Sequence, residues 1–205
     1  MPTARADRAR QRPSRSERTR ERILEAVRDL LADGSFHEST MEEVAARAGI
    51  SRATLYQHFR SRVDLLDAIC HVLAFNPALV EIREAVVLPD ADAALSETLA
   101  LAVRFWASED TILSQLYGVV AIDPAAADFV VRQREDRRNE MKRLARHLKA
   151  AGRLRSGLSE RDAHDQLMVL TSYETFSELR HAGRSEQRIT GLLQESARAL
   201  LLDPA

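Results

Sequence analysis

Nowhere in this chain do apolar and polar residues alternate for long with the period of two that a half-buried strand requires; apolar residues return instead every three or four positions. Only seven glycines and six prolines interrupt 205 residues rich in Ala, Leu, Arg and Glu, which hold helices well. The fold class is therefore expected to be all-α. The hydrophobic content of 45% is enough for a packed core, while no apolar run approaches the ~20 residues of a membrane-spanning helix. The arginine-rich start lacks the apolar stretch of a secretory signal, so a soluble protein of the cytoplasm, without a membrane partner, is expected. Cys70 is the only cysteine, which excludes an intrachain disulfide and a multi-thiolate metal site and reads as a buried apolar filler.

Start and stop signals divide the chain. After a disordered basic arm over residues 1–16, a first helix is expected from about Glu17 to Asp33, with Ile23, Val27, Leu30 and Leu31 on one stripe and Gly34 as its stop. Thr40-Met41-Glu42-Glu43 is a capping box that opens a short helix ending at Gly49. A third helix runs from Ser51 to His58 or Phe59, and a fourth follows Ser61 and continues through Leu65, Leu66, Ile69 and Leu73 to the break at Asn76-Pro77. Further helical stretches cover about 78–87, 91–107, 110–121, 124–151, 160–181 and 186–202, punctuated by Pro89, Pro124, Gly152, Gly157 and Gly183. The expected architecture has about nine helices: an N-terminal three-helix helix-turn-helix domain over 17–75, then a helical domain over 76–205.

A net charge of −1 conceals an asymmetry. Residues 1–22 hold eight arginines against three acids, a surplus of five positive charges, so the remainder carries −6. Residues 47–62 hold Arg47, Arg52, Arg60 and Arg62 and no acid. Positive charge clustered in this way is the footprint of phosphate binding, although a solvated tail beside a chance gap in the acids leaves the same count.

Two short helices across a tight glycine turn, Thr40 to Ala48 and then Ser51 to His58, have the proportions of a DNA-binding helix-turn-helix. The second helix of such a unit lies in the major groove, so it must be polar outside and anchored inside by few apolar residues. Leu55 and Phe59, four apart, supply the anchor against Val44 and Ala45, leaving Arg52, Ala53, Thr54, Tyr56, Gln57 and His58 on the exposed face. Arginine can read guanine O6 and N7, glutamine can pair with adenine, and a small alanine can meet a thymine methyl.

The segment from Thr40 to Leu66, TMEEVAARAGISRATLYQHFRSRVDLL, resembles the signature of the tetracycline-repressor (TetR) family. The resemblance covers about the first 70 residues and rests on the glycine turn, the Thr-Leu-Tyr-x-His-Phe run and the basic residue opening the next helix. It implies that Thr40, Tyr56, His58 and Arg62 grip phosphates, and that Arg52, Ala53, Thr54 and Gln57 face bases, with Ser51 opening this recognition helix of about 51–59. Glu42 departs from members that carry a basic or neutral residue there; an acid should face solvent or pair with an arginine. Extended basic arms can also enter the minor groove, which leaves two readings of Arg10 to Arg20, a DNA contact or a solubilising tail.

In the second domain the stretch 160–181 carries Leu167, Met168, Val169, Leu170, Tyr173, Phe176 and Leu179 around much of its circumference and must be covered on more than one side. The last helix carries Ile189, Leu192, Leu193, Ser196 and Leu200. The resemblance implies a homodimer through these last two helices, about 160–181 and 186–202, while closure of the monomer's own core is the alternative. It also implies an apolar ligand cavity for an unidentified small-molecule inducer, for which Trp106, Tyr117, Met168 and Tyr173 are the candidate liners; aromatics at helical spacing are equally the material of plain core.

No catalytic motif is present: Gly-x-Ser-x-Gly, a dinucleotide fingerprint and His-Glu-x-x-His are missing, and Gly152 to Gly157 lacks the lysine of a phosphate loop. The six histidines are dispersed, and neither a metal nor a cofactor is expected. The sequence thus reads as a DNA-binding transcriptional regulator, not an enzyme, most simply a repressor that holds a palindromic operator in double-stranded DNA as a homodimer and is released by a small, largely apolar ligand. A helical DNA-binding protein without a ligand, architectural or partner-controlled, is the alternative.

Overall fold

The computed structural model describes residues 14–122 and 127–203. Among these residues there are ten helices, α1 (Arg15–Ala32), α2 (Met41–Arg47), α3 (Arg52–His58), α4 (Arg62–Ala74), α5 (Pro77–Ala85), α6 (Ala91–Ile122), α7 (Ala127–Ala150), α8 (Glu160–Leu170), α9 (Tyr173–His181) and α10 (Glu186–Leu201). The sole strand-like feature among them is an isolated antiparallel bridge between Leu154 and Leu202. No single helix among the described residues is long and apolar enough to cross a membrane.

The chain divides into two compact units, Met1–Ile69 and Cys70–Ala205. The division falls inside α4 rather than at residue 75, with buried Leu65, Leu66 and Ile69 in the first unit and buried Cys70 and Leu73 in the second. The basic arm also ends earlier than residue 16. The Ser14 hydroxyl accepts the Glu17 amide at 3.1 Å and the Ser14 amide donates to the Glu17 carboxylate at 2.6 Å, so Arg15 and Ser16 already belong to the first turn of α1. Residues 1–13 lie outside the described residues.

In the first unit α1 buries Ile23, Ala26, Val27, Leu30 and Leu31, the stripe its spacing requires, together with Phe36, with Met41, Val44 and Ala45 of α2, and with Leu55 and Phe59. In the second unit α6 is the central element and packs against α5, α7, α9 and α10. It runs unbroken where two helices were expected at 91–107 and 110–121. Ser108, Glu109 and Asp110 look like a cap, but no glycine or proline forces a stop, and the Ser108 hydroxyl donates to the Phe105 carbonyl at 2.9 Å inside the helix.

The stretch 160–181 departs in the opposite sense, breaking at Thr171-Ser172 into α8 and α9. Thr171 turns its hydroxyl back to the Leu167 carbonyl at 2.7 Å, and Ser172 caps α9 by accepting the Thr175 amide at 3.1 Å. The Thr171 carbonyl accepts the Trp106 indole N–H at 3.1 Å, so the break is satisfied from α6 inside the core. One merger and one split are thus the differences in how the stretches 91–121 and 160–181 divide into helices.

Other polar contacts fasten the second unit. Arg153 forks onto Asp92 through two bonds of 2.7 Å and holds that carboxyl below the usual carboxylate range, while Gln194 on α10 donates to the Ser96 carbonyl at 2.9 Å. Thr98 is fully buried on α6, and its hydroxyl has no hydrogen-bond partner among the described residues. Burying an unpaired hydroxyl costs free energy that a methyl of similar size does not. Thr98→Val is therefore expected to leave stability unchanged or raise it by about 0.5–1.5 kcal/mol in urea unfolding; a loss larger than about 1 kcal/mol would show that the hydroxyl has a bonding role.

Candidate nucleic-acid interface

Each end of the helix-turn-helix has its own fastening. At the start of α2, the Thr40 amide donates to the Glu43 carboxylate at 2.6 Å and the Thr40 hydroxyl accepts the Glu43 amide at 3.2 Å. The turn that follows places Gly49 at φ +64, a conformation that side chains rarely adopt, and a Cβ there would lie 2.8 Å from the Arg22 guanidinium. That guanidinium clasps the turn, donating to the Ala48 carbonyl at 2.7 Å and the Gly49 carbonyl at 3.2 Å. Ser51 then caps α3, its hydroxyl accepting the Thr54 amide at 3.1 Å and sharing a 2.8 Å bond with the Thr54 hydroxyl.

Leu55 and Phe59 are buried, and Ser51, Arg52, Ala53, Tyr56 and Gln57 are exposed, with Thr54 and His58 half-buried beside them. The buried anchors and four of the six residues expected on the exposed face lie as the spacing predicts, while Thr54 and His58 are partly covered. Arg52 is not extended freely: its guanidinium meets the Glu42 carboxylate at 2.5 Å and lies 5.4 Å from the centre of the Tyr56 ring. Bonding to Tyr56, followed by the charge of Glu42, raises the Arg52 pKa above its ordinary value. The acid at position 42 thus pairs with an arginine, one of the two outcomes open to it.

Two expected phosphate ligands are engaged within the fold. Arg62 donates through Nη2 to the Phe36 carbonyl at 2.6 Å and the His37 carbonyl at 3.1 Å, and its guanidinium sits 4.9 Å from the centre of the Phe36 ring. It braces the segment between α1 and α2. Thr40 remains exposed, but its hydroxyl also donates to Glu43 at 3.0 Å and so completes the cap.

Other arginines counted as a basic zone have similar structural attachments. Besides Arg22, Arg20 lies 4.6 Å from the centre of the Phe59 ring and Arg47 pairs with Asp33 at 3.2 Å. A charge count contains no signal for these roles, because each partner is a carbonyl, a ring or an acid distant in sequence.

In the second unit the structure brings three of the four candidate liners together. The Tyr173 ring is 5.5 Å from Trp106 and 4.8 Å from Tyr117, centre to centre, and its hydroxyl donates to Asp110 at 2.9 Å. Phe105 and Phe176 extend the set, at 4.7 Å from Trp106 and 6.2 Å from Tyr173. Burial pushes the Tyr117 phenol up to about 12, and burial with the Asp110 bond raises that of Tyr173 as well, so both remain protonated donors near neutrality. Met168 lies half-buried on α8, between fully buried Leu167 and exposed Val169. Among the described residues no three His, Cys, Asp or Glu side chains gather where a metal ion could be held.

Comparison with known proteins bears on both units. The family model described as "Bacterial regulatory proteins, tetR family" matches residues 23–69, from α1 to the last residue of the first unit. The HTH-type transcriptional regulator SrpR of Pseudomonas putida is 32% identical over 61 residues, 30% of this chain and 29% of SrpR. The HTH-type transcriptional activator FasR of Mycolicibacterium smegmatis is 40% identical over 50 residues, 24% of this chain and 23% of FasR. These matches span less than a third of either relative. Among solved structures the SmeT–triclosan complex, SmeT being the repressor of the Stenotrophomonas maltophilia multidrug efflux pump SmeDEF, superposes with a TM-score of 0.71 at 21% identity, over 92% of this chain and 93% of that one. That likeness, at 21% identity, extends the shared fold through the second unit, and the first unit carries the helix-turn-helix that the tetR family model matches over residues 23–69.

Proposed function

We propose that this protein is a transcriptional repressor that binds a palindromic operator as a homodimer and releases it when a small, largely apolar ligand enters the second unit. The observation that carries the DNA-binding part is the face of α3, where Arg52, Ala53, Tyr56 and Gln57 are exposed over the buried anchors Leu55 and Phe59. In this reading Arg52, Ala53, Thr54 and Gln57 meet base edges and Tyr56 and His58 meet phosphates, with Ser51 capping the helix. Thr40 and Arg62 act indirectly, by holding α2 and the segment before it in place.

The dimer is supported by surfaces that α8 and α10 leave open. Ile189, Leu193, Ala197 and Leu201 of α10 are buried within the chain's own fold, so closure of the monomer core accounts for one face. The remainder of α10 holds exposed Leu200 and a groove of about 610 Å³ lined by Glu186, Gln187, Thr190, Gly191 and Gln194, and α8 exposes Val169. A two-fold pairing there sets two recognition helices about one DNA turn apart, and two half-site contacts then add into one specific complex. The ligand part is supported by the ring set of Trp106, Tyr117 and Tyr173 and by the likeness to a fold solved with triclosan bound. Occupancy would act through α4, whose chain continues from the second unit into the first.

Selection of random duplexes by the purified protein at about 150 mM salt is expected to recover an inverted repeat with half-sites near one helical turn apart, bound ~10³-fold or more above random DNA. Recovery of no motif would replace this reading with an architectural or partner-controlled protein. On the selected site, Arg52→Ala is expected to lose roughly 5- to 100-fold in affinity and to relax one base position, whereas Tyr56→Phe weakens selected and random DNA alike. An Arg52→Ala variant with unchanged affinity and preference would remove Arg52 from the groove.

Glu42 restrains the same arginine and adds negative charge to the DNA-facing side. Glu42→Gln is therefore expected to strengthen binding to random DNA by a few-fold more than binding to the selected site, lowering their ratio in anisotropy titrations. An unchanged ratio would show that the Glu42 pair has no part in specificity.

A further inference from the structure

The middle of α7 holds a cation that the described residues leave incompletely bonded. Arg137 is half-buried, and its Nη1 is sealed from solvent with no hydrogen-bond partner among the described residues. A guanidinium carries five donors and stays charged inside proteins, so a sealed and unbonded nitrogen costs free energy until an acceptor reaches it. The groups that act on this charge are the Tyr117 phenol, the Glu174 carboxylate and the cations Arg134 and Arg138. Glu174 already accepts from Arg134 at 3.0 Å, so the acid in the neighbourhood is engaged elsewhere. Burial, the first cause, pulls the Arg137 pKa below its ordinary value.

Arg134, one turn before Arg137 on α7, bonds Glu174, the residue after Tyr173 at the start of α9, so this part of α7 is joined to the segment that carries the ring set; the Tyr173 ring lies 4.8 Å from Tyr117 and 5.5 Å from Trp106, centre to centre. A region that is aromatic at one end and has an unbonded guanidinium nitrogen at the other matches a molecule with an apolar body and one acidic head, since carboxylates complement guanidinium geometry with paired, charge-assisted bonds.

We infer that the ligand of the second unit is an apolar carboxylic acid, its carboxylate held by Arg137 and its body lying against Tyr117, Tyr173 and Trp106. This rests on the reading of the protein as ligand-responsive and adds the chemical class of the ligand. Binding supplies the acceptor that Nη1 lacks, and the apolar body recovers the hydrophobic contribution on which small-molecule pockets mainly depend.

Trp106 is the chain's only tryptophan and reports directly on the site. The full-length protein is titrated with salicylate, 1-naphthoate and decanoate, each beside its primary amide, following Trp106 fluorescence and the melting temperature. At least one acid is expected to quench Trp106 and raise the melting temperature, and to bind at least 10-fold tighter than its amide. Arg137→Gln is expected to erase that preference by weakening the acid at least 10-fold and leaving the amide unchanged. Arg143→Gln, on the same helix but paired with Glu140 at 2.8 Å, is expected to behave like the wild type.

The ligand-free melting temperature of Arg137→Gln should not fall, because the change removes a half-buried charge with an unmet donor. Amides that bind as well as acids, in the wild type, would overturn the carboxylate assignment while leaving a ligand-responsive protein, as would an Arg137→Gln variant that keeps its preference for the acid. Silence of all six compounds would overturn the assignment and count against the ligand-responsive reading itself.

Discussion

A helix of seven residues does not hold itself together in water, since nucleation costs more than so few backbone bonds return. Every property attributed to α3 depends on this constraint. It keeps its shape because Ser51 caps its first turn, Leu55 and Phe59 sink into the first core, and Arg22 clasps the two carbonyls of the turn that delivers it. The exposed face can then be composed for recognition alone. Arg52, Ala53, Tyr56 and Gln57 contribute little to the core, so their identities can vary without disturbing what holds them in place.

The second unit solves a related problem in its interior. A helix break there frees backbone groups far from water, and such groups must find partners. At Thr171 the carbonyl finds the Trp106 indole, and the following cap at Ser172 starts a new helix with Tyr173 as its first residue. One local event therefore fixes the indole, orients the phenol and brings Tyr117 within ring-stacking distance. The aromatic set is thus a consequence of how α8 ends.

The helical class, the two short helices, the glycine turn and the buried anchors were all legible in the sequence because each depends on neighbours within one or two turns. The break at Thr171 was not, since a threonine followed by a serine is compatible with a continuing helix and the deciding acceptor-donor pair joins residues 65 positions apart. The unbroken α6 was misread for the converse reason: Ser108-Glu109-Asp110 satisfies a capping pattern locally, yet nothing there ends the helix. Among the candidate site residues, exposure along α3 followed from periodicity, whereas the attachments of Arg62 and Thr40 did not. A long side chain can reach a carbonyl 26 residues away, as Arg62 does at Phe36, and composition carries no trace of that.

Arginine shows the limit most clearly. Its charge is constant and countable, but its five donors make its role depend on how many of them the fold has already satisfied. Arg22 and Arg62 donate to backbone carbonyls and therefore brace, despite lying in the most basic part of the chain. Arg52 is restrained by a single acid and a ring at the exposed edge of a helix, so an outside acceptor has only to displace Glu42. Arg137 is half-buried with an unmet donor, whereas Arg134 and Arg138 on either side are exposed and Arg134 is paired with Glu174. An arginine is open to a partner from outside the chain when the fold holds it loosely or leaves a donor unmet, as on the exposed face of α3 at Arg52 and in the middle of α7 at Arg137.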